Sequence, residues 1–277
     1  MQKMTSMTYQ TDIRLKEWTD QQLARGKFAF SLDELKNAMP GATSISLKRS
    51  LSRESLKGNI LSVHRGYYII IPPSYKMRGL LPPPLFIDGL MKYLGRNYYM
   101  GLLNAAAWHG AAHQQPQEFF VVTEFPVMRS TDKKGVRIRY ISKKEIPPGL
   151  TEQRNTETGT VRLSGPLLTA ADLVQFEKHI GGINRAATVL VELSEKIGTS
   201  DPFHLLAEHS PVSVLQRLGY LLEHVGRPEL ADVLYHSMLN NGATLFRVTL
   251  KTGEPSEGFQ SDERWKVIVN TEIETDF

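Results

Sequence analysis

Among its 277 residues the chain has no cysteine. That single absence excludes disulfides, thiolate metal sites, iron-sulfur clusters and cysteine nucleophiles, and it fits a reducing compartment. Long apolar runs are missing too. No stretch approaches the roughly 18 consecutive apolar residues of a membrane span, and the first 25 residues lack the apolar core of a signal peptide. The expectation is a cytoplasmic protein with no membrane partner. The sequence also holds no G-x-S-x-G, H-E-x-x-H, P-loop or strand-to-helix G-x-G-x-x-G pattern, so it predicts no catalytic residues, no cofactor and no enzyme.

What is present is an ordinary globular balance, 41% hydrophobic and 22% charged, enough to bury a core in one large domain or two ordinary ones. The formal net charge of +4 conceals an asymmetry. Residues 1–80 hold 13 basic against 6 acidic side chains, a local +7, while the remainder is −3. A basic module joined to a mildly acidic body is the electrostatic footprint expected of polyanion binding. Five of the fifteen prolines fall between Pro72 and Pro84. Proline stiffens the chain and removes amide donors, which predicts a semi-rigid linker over 73–84 between a domain at 1–72 and another at 85–277. No internal repeat is evident.

Within the basic module, residues 11–24 read as a first helix ending at Gly26. Ser31 and Glu34 form a capping-box pattern opening a short second helix. Pro40-Gly41 turns the chain, and Ser44 can cap a third helix running to about Lys57. On a helical wheel Ser46, Arg49, Ser50, Arg53 and Lys57 share one polar, basic arc, with Ile45, Leu47, Leu51 and Leu56 flanking it as anchors. Lys48 points elsewhere and is kept as a phosphate contact near the helix start. A solvated helix face explains such a stripe equally well, but the next segment changes the reading. ILSVH and YYIII are β-forming runs separated by Arg65-Gly66, a hairpin signal. Helix, turn, basic helix and hairpin is the order of a winged helix-turn-helix, with the third helix in the major groove and His64 and Arg65 at the wing. The predicted DNA-binding set is therefore Ser46, Lys48, Arg49, Ser50, Arg53, Lys57, His64 and Arg65, and the predicted partner is double-stranded DNA.

The body reads as two helices over 85–110, then strands at EFFVVTE, GVRIRYIS and GTVRLS, then a helical block over about 167–240, then two strands at TLFRVTL and RWKVIVN. Strands segregated from helices argue for an α+β class rather than a doubly wound sheet. Val212, Leu215, Leu218, Leu222 and Val225, with Val189, Leu190, Leu193 and Ile197, form core stripes. His109 and His113 have a metal-compatible spacing, but no third ligand is apparent and packing at a helix end explains them better. Asp172 and Glu177 point to different faces. Arg217 lies off the apolar stripe and suggests a surface salt bridge.

Several blocks resemble the AbiEi family of antitoxins and transcriptional regulators from type IV toxin-antitoxin and phage-defence (abortive infection) operons. They are GLLNAAAWHGAAHQQPQEFFVVT, VRLSGPLLTAADLV, GGINRAATVLVEL, SVLQRLGYLLE and WKVIVNTEIE. The resemblance implies a winged helix that binds its own promoter as an autorepressor, and the handful of cationic contacts on one such helix predicts an operator of repeated sites. It also implies a body that neutralises a nucleotidyltransferase toxin, AbiEii, without forming a stable complex with it. Two other readings remain open on the residues alone: a module that binds a protein partner through the same basic helix, and an enzyme acting on nucleic acid, for which no catalytic constellation is visible.

Overall fold

The computed structural model describes residues 14–76, 81–112 and 116–274 of the chain. It is a mixed α+β structure that divides into two compact units. The first takes in the chain to Tyr98 together with Val127–Tyr140 and Gln153–Val161; the second holds the rest, so residues 85–98 fall within the first unit.

In the first unit, helix α1 (14–24) leads into strand β1 (Ala29–Ser31), helices α2 (Leu32–Ala38) and α3 (Ser44–Leu56), and the hairpin β2 (Ile60–His64) and β3 (Tyr67–Ile70). The three strands pair antiparallel in the order β1-β3-β2, with Phe30 opposite Tyr68 and Leu61 opposite Ile69. As the sequence predicts, Ser31 caps α2: its hydroxyl accepts the Glu34 amide at 3.1 Å, and the Glu34 carboxylate accepts the Ser31 amide at 2.7 Å. At α3 the cap is Thr43, not Ser44. The Thr43 hydroxyl accepts the Ser46 amide, and Ser44 is already the first helical residue. Leu15, Phe30, Leu35, Leu47, Leu51, Ile60 and Ile70 close a small core, against which Trp18 sets its ring edge on Phe30.

Where the sequence suggests a proline-stiffened linker, Pro73–Lys76 forms a short helix α4 and Pro83–Leu85 a 3-10 turn; residues 77–80 lie outside the described part. Helix α5 (Ile87–Tyr93) follows. The second of the two helices expected over 85–110 is instead two elements: strand β4 (Tyr98–Met100), then helix α6 (Leu102–Trp108) beginning after Gly101. Side chains of the tyrosine pair and Met100 are all buried, which suits an interior strand better than a helix exposed on one side.

Of the three strands read in the middle of the chain, all are present: β5 (Phe119–Glu124), β7 (Val136–Lys143) and β9 (Gly159–Ser164). Two more accompany them, β6 (Thr131–Lys133), antiparallel to β7, and β8 (Thr151–Thr156). Both are polar, so they carry none of the apolar alternation by which strands are read.

Within the second unit, Met100 of β4 pairs in parallel with Leu163 of β9. Helices α7 (Pro166–Gln175), α8 (Ile183–Leu193), α9 (Phe203–His209), α10 (Val212–His224) and α11 (Pro228–Asn240) fill the predicted helical block. Leu167 to Val174 are buried without exception, as expected of a helix enclosed on all sides. Asp172 is the charge in that helix, fully buried, and it is matched: Lys143 Nζ donates to Oδ1 and the Tyr99 hydroxyl to Oδ2, each at 2.7 Å. Burial and the neighbouring Asp172 hold the Tyr99 phenol well above its usual range.

Arg217 is a second correction. It is buried, not on the surface, and lies 2.9 Å from the buried Glu177 while its Nε and Nη1 donate to the carbonyls of Leu250 and Val174. Helix α10 thus buries Leu215, Leu218 and Leu222 on one side and Arg217 on another, because chain from both sides of the sequence folds over it. The final two strands shrink to β10 (Val248–Thr249) and β11 (Val267–Ile268), paired in parallel. Trp265, completely buried, packs edge-on against Tyr235 and lies over Gly219. A Cβ at Gly219 would run into that ring. Gly219→Ala is therefore expected to cost about 1–3 kcal/mol by overpacking, measurable as a lowered urea midpoint at unchanged slope.

Candidate nucleic-acid interface

The geometry of α3 rotates the predicted basic stripe. Ser46, Leu47, Ser50, Leu51 and Glu54 form the buried face. Ser46 spends its hydroxyl on the Thr43 carbonyl at 2.9 Å, and Ser50 is fully enclosed, so neither can meet a ligand in solvent.

The exposed face consists of Lys48, Arg49, Ser52 and Arg53, with Ile45 at the start and Leu56 at the end. Lys48 therefore stands beside Arg49 rather than away from it. Ile45 and Leu56, expected to anchor the helix, are 61% and 82% exposed. Lys57 is the C-cap residue and is held at 2.8 Å by Glu54, which also accepts from Asn59. That buried carboxylate ties the helix end to the start of β2.

The hairpin forms with the expected turn. Gly66 has φ +76°, a conformation that other residues adopt only with strain, and Arg65 is exposed at the tip. His64 is half-buried, its Nδ1 3.2 Å from the Arg65 carbonyl oxygen. Tyr93 of α5 donates its hydroxyl to that same carbonyl at 3.3 Å, and its ring lies 5.3 Å from that of Tyr67. The tip is thus held from both sides.

Two further cations were not legible in the sequence. Lys133, the last residue of β6, and Lys134, in the tight connection to β7, are exposed in the same unit, and Lys134 donates to the Ser55 carbonyl near the end of α3 at 3.2 Å. They are far from α3 along the chain, and no local pattern joins them.

In the second unit, His109 lies with Nε2 2.8 Å from the Ser164 carbonyl oxygen, a structural contact; His113 lies outside the described residues. Among the described residues no group of three or more His, Asp or Glu could hold a metal ion, and no helix is long and apolar enough to cross a membrane.

Comparison with known proteins adds two findings. The crystal structure of the RV2827C protein from Mycobacterium tuberculosis superposes with a TM-score of 0.64, covering 90% of this chain and 89% of that one at 17% identity, which establishes a shared fold. No curated protein matches the chain. Residues 99–224, spanning β4 to α10, match the family model of the AbiEi antitoxin C-terminal domain. Four of the five blocks that carry the sequence resemblance lie inside that range, and WKVIVNTEIE lies beyond it. The body thus carries an AbiEi antitoxin C-terminal domain, the mark of an antitoxin of a toxin-antitoxin system.

Proposed function

We propose that the chain is an autorepressor as well as an antitoxin: its first unit acts as a winged helix-turn-helix on its own promoter, and its body counters a nucleotidyltransferase toxin. The observation that carries the DNA-binding part is the exposed face of α3, where Lys48, Arg49 and Arg53 stand together while Arg65 projects from a braced hairpin tip. In such a docking the helix reads base edges and the hairpin grips phosphates, with Lys133 and Lys134 adding contacts to the backbone. Ile45 and Leu56 on the same face suit thymine methyl groups.

A reporter fused to the DNA upstream of the gene tests this directly. Expression of the chain in trans is expected to repress it, and Arg49→Ala with Arg53→Ala to release it; unchanged reporter output with the wild-type chain would refute autorepression. The antitoxin half of the reading is tested by co-expression with the neighbouring gene's product, where growth is rescued without a co-purifying complex.

The exposed Ile45 and Leu56 also favour a second reading, in which this face binds a protein. Under it the reporter stays on.

One copy of the first unit offers only a handful of cationic contacts, so non-specific binding is expected at roughly micromolar or weaker affinity at physiological salt. A useful repressor needs two copies on repeated half-sites about one helical turn apart. The fall of log affinity with log salt is then expected to be roughly twice as steep on a two-repeat operator as on a half-site. One protomer per operator with equal slopes would contradict this.

A further inference from the structure

The second unit contains a recess of about 410 Å³ whose polar lining is made of donors. Ser213 enters it from the first turn of α10, a thirteen-residue helix with no side-chain cap. Arg247 and Thr249 come from the segment leading into and forming β10, and Thr252 and Ser256 from the loop after it. Arg217 reaches it from within α10, and Val248 and Ile268 supply apolar wall. None of the residues lining the recess is acidic.

Four of these side chains are also unspent. Among the described residues Ser213, Arg247, Thr249 and Ser256 have no side-chain hydrogen-bond or ion-pair partner, and the amide of Ser213 has no acceptor. Arg217 is more than nine-tenths buried, yet its Nη2 makes no aligned hydrogen bond although Glu177 lies 2.9 Å away. The N-terminus of α10 adds the positive end of a helix dipole to the same place. Thr252 is the exception, since its hydroxyl donates to Glu177 at 2.6 Å.

We propose that this recess binds the terminal phosphate group of a small phosphorylated molecule. The Arg247 guanidinium at the rim and several hydroxyls around a helix N-terminus match the oxygens of a doubly charged phosphate, with Arg217 in the wall already paired with Glu177, and the volume suits a small molecule. The backbone of duplex DNA is the poorer fit: it presents singly charged phosphates in a row and is gripped by cations spread along a surface, whereas residues 81–277 together carry a net charge of −3.

The test is isothermal titration of the full-length protein with inorganic phosphate, with ATP and with a blunt DNA duplex lacking terminal phosphates. Phosphate and ATP are expected to bind at one site at millimolar or tighter affinity. Arg247→Ala is expected to weaken both about tenfold or more, Ser213→Asp to abolish both, and Lys196→Ala, an exposed cation elsewhere in the unit, to change neither. A thermal melt on each variant checks that the fold is kept. The proposal is overturned if neither phosphate nor ATP binds, if Arg247→Ala binds them as well as wild type does, or if the duplex alone depends on Arg247. Autorepression stands or falls separately, because none of these residues lies in the first unit.

Discussion

Replacing Arg49 and Arg53 together by alanine is expected to lower affinity for the upstream DNA on the order of a hundredfold or more, since each side chain that reaches a base edge accounts for about 1–3 kcal/mol of discrimination. Both residues are exposed on α3, whose hold on the unit comes from Leu47, Leu51 and the Thr43 cap. Stability is therefore expected to change by no more than about 0.5 kcal/mol. Arg65→Ala makes the contrast. A wing residue that meets phosphate carries no base information, so its loss is expected to weaken operator and random DNA by the same factor and to reduce the salt slope by about one unit. Fluorescence anisotropy on matched operator and shuffled duplexes separates the two effects. A double variant that matches wild type on both would remove α3 from the interface.

The second large effect lies in the body. Asp172→Ala is expected to destabilise the protein by about 3–5 kcal/mol, because it leaves the Lys143 ammonium buried without a counter-charge. Lys143 and Asp172 are both essentially inaccessible to solvent, and the Tyr99 hydroxyl loses its acceptor at the same time. The double replacement Lys143→Met with Asp172→Leu is expected to recover most of that loss, since a buried pair can be exchanged for apolar groups of similar size at little net cost. Urea unfolding of the two variants, followed by tryptophan fluorescence, gives both numbers. Equal destabilisation of the single and double variants would show that the pair contributes through packing alone.

How much of this was legible beforehand depends on how local each signal is. The Ser31–Glu34 capping box and the Arg65-Gly66 hairpin turn are formed by neighbours in sequence, and both appear in the structure as read. The resemblance to AbiEi antitoxins was carried by contiguous blocks and holds over residues 99–224. Faces of helices were less secure. Wheel geometry placed Ser46 and Ser50 with Arg49 and Arg53, but which side of α3 turns inward is decided by the partners it packs on, and small serines fit beneath them.

Tyr98–Met100 reads as helix for a similar reason: its β character comes from Leu163, a partner more than sixty residues further on. Arg217 and Asp172 show the limit most clearly. Each is a charge in a helix, surface-seeking by residue type, and each is buried because a distant residue, Glu177 or Lys143, neutralises it. Nothing within a helical turn of either announces the pairing.

The central claim, that the first unit reads DNA in sequence-specific fashion, is tested most directly by titrating the full-length chain with the DNA upstream of its own gene and with a shuffled duplex of equal length and composition at one physiological salt concentration. The account predicts a preference for the upstream DNA of roughly a thousandfold or more. Equal affinity for the two duplexes, in a chain that is folded by circular dichroism, would contradict it.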